Sequence, residues 1–258
     1  FHRLVGVEHF YLCSHNSQDN YKEVLTPYIK KGIVELKELQ TEIFDNVYNF
    51  NEIQCQFYND CIREIKGISR WVAFIDTDEF LFPSTSNQLL PAMLKNYEEF
   101  GGVCVNWQLF GTSGIGKLKY KELLIEKLVC CAHREYKAEI QSNGFSLYSN
   151  ILIKSIVQPI FVEKFENPHF AYYTPGYYQV NTDQIPFVGP YSPYVQVGEL
   201  RINHYWSKDE TYFWNHKLGR QKNWWGASLS SLLKMKEELN EYMNFSIQRY
   251  VKPLKERL

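Results

Sequence analysis

Trp71-Val72-Ala73-Phe74-Ile75-Asp76-Thr77-Asp78-Glu79-Phe80-Leu81-Phe82-Pro83 joins an apolar run to an acidic cluster. Its first five residues are apolar and rich in β-formers, which predicts a fully buried strand. That strand runs straight into Asp76-Thr77-Asp78-Glu79. Carboxylates are rarely buried without a partner or a metal, and ligands bind at the carboxyl ends of strands in open α/β sheets. In an extended backbone alternate residues share a side, which sets the Cα atoms of Asp76 and Asp78 about 6.5–7 Å apart. Their carboxylates can then converge on one hard divalent cation, Mn²⁺ or Mg²⁺, with a phosphate completing the oxygen shell. The plainer reading is a strand end followed by an acidic helix start, where Asp and Glu suit the macrodipole. The apolar residues on both sides favour the metal reading. Glu79 points away from the pair by the same alternation and reads as a helix-start or supporting residue.

Upstream, Val5 to Cys13 reads as a strand and Ser14 to Asn20 as a polar turn. Asp19 or Ser17 can cap a helix over Tyr21 to Lys31, with Gly32 just past its end. Ile33 to Leu39 follows as a strand, which completes a βαβ unit and predicts a parallel sheet. A helix capped by Asn51 runs to Lys66 and stops at Gly67. Downstream, the pattern gives a helix near Asn87 to Phe100 and strands at Val103 to Phe110 and Ile151 to Val157. The loop from Gly111 to Lys117 lacks P-loop spacing and opens no helix, so it is rejected as a Walker site. Phe161 to Gly198, dense in Tyr, Pro and Gly, reads as irregular. Glu199 to Tyr205 is a last strand, followed by helices at Asp209 to Arg220 and Leu229 to Val251. The expected architecture is one α/β domain with a mostly parallel central sheet flanked by helices.

A net charge of −1 gives no nucleic-acid footprint. The charge is divided, however: residues 1–129 hold 17 acidic and 13 basic side chains, and residues 130–258 hold 12 and 15. A site bridging the halves could grip an anion from both. The six cysteines include no C-x-x-C pair and fall in apolar strands and a helix. They read as buried free thiols of a reducing compartment, cytoplasmic or at the inner face of a membrane with peripheral contact. No apolar run reaches the ~20 residues of a membrane span. The chain opens at Phe1, so an upstream anchor would instead place it in the Golgi lumen.

A second cluster is Arg201-Ile202-Asn203-His204-Tyr205-Trp206-Ser207-Lys208. An imidazole at the end of a strand suits Mn²⁺ or Zn²⁺, and an ammonium four residues later suits a phosphate. Lys217, Arg220 and Lys222 extend the positive surface, although a solvated helix face accounts for at least one of them. Paired acids, a metal, a His and a Lys describe a site for a nucleotide diphosphate leaving group. Inverting sugar transfer further needs a carboxylate base, for which Glu126, Glu163, Glu166 and Asp183 are candidates.

These residues, with Val7 to Val34, Gly102 to Gly114, Lys154 to Pro159 and Pro168-His169-Phe170, resemble glycosyltransferase family 92 in order and across almost the whole chain. The resemblance implies the GT-A (nucleotide-diphospho-sugar transferase) fold. It implies Asp76 and Asp78 as metal and diphosphate ligands, His204 as the C-terminal metal ligand with His169 as runner-up, and Lys208 near the phosphates. It also puts Asn106, Trp107 and Gly111 to Gly114 on the donor and acceptor cleft, and Asn16, Ser17 and Asp19 near the nucleotide. Ser14 and His15 depart from the Asp and Asn common at that place. The chain also reads as beginning after the first nucleotide-binding strand. The expected activity is metal-dependent, inverting transfer of a hexose, galactose being the first candidate, from a UDP-sugar to a glycan. The alternatives are a non-catalytic carbohydrate-binding module, suggested by Trp224-Trp225, and a nucleotidyltransferase of similar fold.

Overall fold

Gly102–Leu109 is the strand on which the main sheet is built, and all eight of its residues are buried. A computed structural model describes residues 1–40, 47–139, 141–142, 145–146, 148–196 and 198–258. On one side Gly102–Leu109 pairs antiparallel with Ile153–Val157, which pairs antiparallel with the short strand Val72–Ala73. On the other it pairs parallel with Leu200–His204, which pairs antiparallel with Glu79–Pro83. Gln179–Val180 adds a parallel pairing at its start. The sheet is therefore mixed, which corrects the expected mostly parallel one. A parallel return needs a crossover, usually a helix, and between Leu109 and Ile153 the described residues offer only the four-residue helix Leu124–Lys127.

The expected βαβ unit does form, as a separate piece. Phe10–His15 and Val34–Leu39 pair in parallel around the helix Tyr21–Lys30. Asp19 Oδ1 accepts from Tyr21 N–H at the start of that helix, and Gly32 takes the left-handed φ of 66° after its end. Phe10–His15 and Val72–Ala73 line a common cavity of about 1370 Å³.

Four elements differ from expectation for tertiary reasons. Trp71 to Ile75 is not a fully buried strand: only Val72–Ala73 joins the ladder, and Phe74 alone of the five is buried, the rest lining the cavity. The helix expected from Asn51 begins at Val47 and runs to Ile65, so Asn51 lies within it. The long helix expected to Val251 stops at Glu238. Beyond it Asn240 accepts from Ser113 N–H, and Tyr242–Met243 pairs with Cys130–Cys131. These partners replace helix continuation. Within Phe161 to Gly198, Val162–Asn167 and Phe170–Tyr173 form a hairpin where irregular chain is expected.

The largest apolar cluster lies around the central strand and includes Phe82, Leu109, Phe110, Ile202, Tyr205 and Trp206. Cys55, Cys61, Cys104 and Cys131 are buried free thiols, while Cys13 and Cys130 are half-buried. No described helix is long and apolar enough to cross a membrane.

Candidate active site

Asp76-Thr77-Asp78-Glu79 is a turn, not an extended run. Glu79 N–H donates to the Asp76 carbonyl at 3.1 Å, and Asp76 N–H donates back to Glu79 Oε2 at 3.0 Å. Strand alternation therefore does not turn Glu79 away from the pair. Glu79 opens a strand rather than a helix, is 1% exposed, and sits beneath the two aspartates. Its Oε1 is 3.7 Å from Lys154 Nζ and 4.0 Å from His204 Nδ1. Burial pushes the Glu79 carboxyl well above the usual carboxylate range, Lys154 opposing and Asp76 adding to the push.

Asp76 is 41% exposed at its side chain and held from two sides. Its Oδ1 accepts from Gln54 Nε2 at 3.0 Å and its Oδ2 from Lys154 Nζ at 3.1 Å. Burial alone would raise its pKa, but Lys154 and then His204 bring it well below the carboxylate range. Lys154 is 1% exposed on Ile153–Val157. Burial disfavours its charge, yet Asp76 and Glu79 together keep it protonated.

Asp78 Oδ1 stands 3.7 Å from His204 Nε2. The strand pairing of His204 with Glu79 produces this meeting of residues distant in sequence. Burial lowers the His204 pKa to about 4, Asp78 opposing and Lys217 adding, so the imidazole is neutral and its Nε2 lone pair can serve a metal. Trp107 packs edge-on against it, ring centroids 4.4 Å apart, and against His169 on its other side at 5.1 Å. His169 contacts the Ile153 carbonyl through Nδ1 at 3.0 Å. Its pKa is lowered to about 3, by burial first and then by Lys154.

No three His, Cys, Asp or Glu side chains gather into a metal-holding group among the described residues. The pair Asp78 and His204 nevertheless fits a divalent ion. Two ligands of one ion, each about 2.1 Å from it, stand roughly 3–3.6 Å apart, close to the observed gap. Glu79 Oε1 and His204 Nδ1 are both buried without a hydrogen-bond partner. A slight closure would give the carboxylate–histidine contact that orients metal-binding imidazoles. Phosphate and water oxygens would supply the remaining positions.

The cavity brings together Asp76, Asp78, His204, His169, Trp107 and Lys208, and also takes Ser17 on its wall. It does not collect the other candidates. Asn16 and Asp19 are off the wall, Asn16 with a left-handed φ of 50° and Asp19 engaged at the helix start. Asn106 is buried and bonded to the Asn150 carbonyl. Gly111 packs against the C-terminal segment: a Cβ there would come 2.5 Å from the Leu239 carbonyl oxygen. Glu126 pairs with Lys255 at 2.6 Å, Glu166 pairs with Lys164, and Glu163 and Asp183 are exposed away from the cavity.

Sequence reasoning assigned no role to Lys154 or Gln54. Lys154 did leave a signal: it is the one charge in Ile153-Lys154-Ser155-Ile156-Val157, and a Lys inside an apolar strand needs an acid. Gln54 left none.

Residues 1–185 match the profile of glycosyltransferase family 92. A galactan beta-1,4-galactosyltransferase of Arabidopsis thaliana is 30% identical over 121 residues, 45% of this chain and 23% of that protein. A glycosyltransferase family 92 protein of Ricinus communis is 29% identical over 119 residues, 45% of this chain and 20% of that protein. A second Arabidopsis galactan beta-1,4-galactosyltransferase is 31% identical over 81 residues, covering 30% of this chain and 15% of its own. The match thus spans less than a quarter of the length of these relatives.

Proposed function

The chain belongs to glycosyltransferase family 92, and on that premise we propose that its cavity takes a nucleotide-diphospho-sugar and passes the hexosyl group to a glycan acceptor. The observation that carries this reading is Asp78 facing a neutral His204 at 3.7 Å, with cationic side chains on the same cavity. We read the α/β arrangement as of the GT-A type. The two galactan beta-1,4-galactosyltransferase relatives favour galactose as the hexose, and hence UDP-galactose as the donor.

In this reading Asp78 and His204 would hold a Mn²⁺ or Mg²⁺ ion, which when bound would neutralise charge on the diphosphate as the sugar–phosphate bond breaks. Asp76 is fixed in the turn by Gln54 and Lys154 and shapes the approach to that ion. Trp107 Nε1, buried without a hydrogen-bond partner, offers a donor on the cavity wall. Displacement with inversion needs a carboxylate base at the acceptor hydroxyl. Glu126, Glu163, Glu166 and Asp183 stand off the cavity, so the base would come from the carboxylates that line it.

The test is Mn²⁺-dependent hydrolysis and transfer across a panel of nucleotide sugars, with Asp78→Asn and His204→Asn as variants. Each should lower turnover by about 100-fold, the scale of losing one preorganised electrostatic group. Turnover that survives both substitutions, or that ignores removal of the metal, would overturn the reading.

A further inference from the structure

The helical run from Glu210 to Trp225 contains a π turn at Phe213–Lys217, a feature frequent at functional sites. Phe213, Lys217 and Gln221 form its inward stripe and are 0%, 5% and 2% exposed. Phe213 belongs to the core and Gln221 accepts from Tyr148 Oη at 2.6 Å. Lys217 has no ion pair among the described residues. Its ammonium lies 5.0 Å from the centre of the Trp206 ring. Arg220 lies 5.1 Å from the Trp224 ring and Lys208 4.3 Å from the Tyr212 ring. Neither Arg220 nor Lys208 meets a carboxylate among the described residues, and Arg220 Nε is buried without a hydrogen-bond partner. All three side chains line the cavity that holds Asp78 and His204.

Aromatic faces hold a cation in place without cancelling its charge. Burying an ammonium beside two other cations, with no carboxylate in ion-pair contact, is unfavourable unless an anion enters. Burial lowers the Lys217 pKa to about 8; Asp78 opposes, while Arg220 and Lys208 press it further down. Lys222, on the same helix, is exposed and shares none of these contacts.

We propose that Lys217, Arg220 and Lys208 form a preformed anion subsite that binds the donor's diphosphate without requiring the metal, a role resting on the nucleotide-sugar reading only for the identity of the anion. Three converging cations match the two to three negative charges of a diphosphate better than a monoanion. The subsite gives the donor a second anchor on the cavity that holds the acidic turn.

Calorimetric titration with inorganic pyrophosphate in the presence of EDTA tests this on the full chain. Wild type binds; Lys217→Met weakens binding tenfold or more; Lys217→Arg retains most of it; Lys222→Met is unchanged. Ligand-free Lys217→Met also melts no lower than wild type, because a buried cation without an ion pair has been removed. Failure of wild type to bind, or equal affinity in folded Lys217→Met, overturns the proposal. If pyrophosphate binding depends on Lys217 but no nucleotide sugar turns over, the subsite stands and the transferase reading falls. Turnover of a nucleotide sugar with pyrophosphate affinity indifferent to Lys217 gives the reverse.

Discussion

On one wall of the cavity Asp76, Glu79 and Lys154 lie within 3.7 Å of a partner of opposite charge, and His204 adjoins Asp78. On the other, Lys208, Lys217 and Arg220 rest on aromatic rings with no described acid in contact. The acidic wall has satisfied most of its charge internally, so its geometry is fixed before any ligand arrives. The basic wall has left its charge unspent, and its fold is less stable for that. A paired wall is suited to placing an ion; an unpaired one is suited to attracting an anion.

The sharpest way to break this contrast is to remove Lys154. Lys154→Ala leaves Asp76 and buried Glu79 without their cation and should cost about 3–5 kcal/mol, read from urea denaturation. A loss below about 1 kcal/mol, as for a surface pair, would mean that the acidic wall is not internally neutralised.

Acidification probes the same wall through its imidazoles. His2, His169 and His204 have pKa values lowered to about 3, 3 and 4, in each case by burial first. His2 Nε2 accepts from Leu81 N–H, as a neutral ring must. Each binds a proton more readily when unfolded, so stability falls as pH drops below about 6.5. Glu79, raised by burial, pulls the other way above its ordinary 4.5. With three imidazoles against one carboxyl, the urea midpoint should fall from about pH 7 to about pH 5. A flat profile would show that burial does not disfavour protonation of these imidazoles.

Smaller effects separate both walls from parts that only look functional. Gly111→Ala drives a Cβ against the Leu239 carbonyl and should cost about 1–3 kcal/mol while leaving donor affinity of the folded protein unchanged. An altered affinity would return the glycine loop to the site. Lys222→Ala should stay within about 0.5 kcal/mol of wild type in stability and leave pyrophosphate titrations unmoved.

Much of the site was legible in the chain, for local reasons. An acidic cluster after an apolar run, and a His and Lys at the end of another, are exceptional patterns whatever surrounds them. The pairing of Asp78 with His204 followed from those two signals. What was not legible depended on partners. Glu79 was assigned by strand alternation, and the turn that Asp76 and Glu79 close together cancelled that rule. The resemblance put Gly111 on the ligand cleft, but Leu239 and Asn240 fill the space against it. Lys217 and Lys222 are both basic residues on one helix, and only packing makes one buried and the other solvated.

The sequence by itself determined the elements with strong local signals: the βαβ unit with Gly32 at its helix end, the strand carrying His204, the buried thiols and the acidic turn's place in the chain. Backbone propensity, capping and hydrophobic pattern act over a few residues, so a few residues suffice to read them. The tertiary structure alone decided the mixed sheet, the end of the Leu229–Glu238 helix, the burial of Lys154 between Asp76 and Glu79, and the aromatic seats of Lys208, Lys217 and Arg220. Each of these depends on which distant side chain or strand edge arrives to neutralise a charge or complete a ladder.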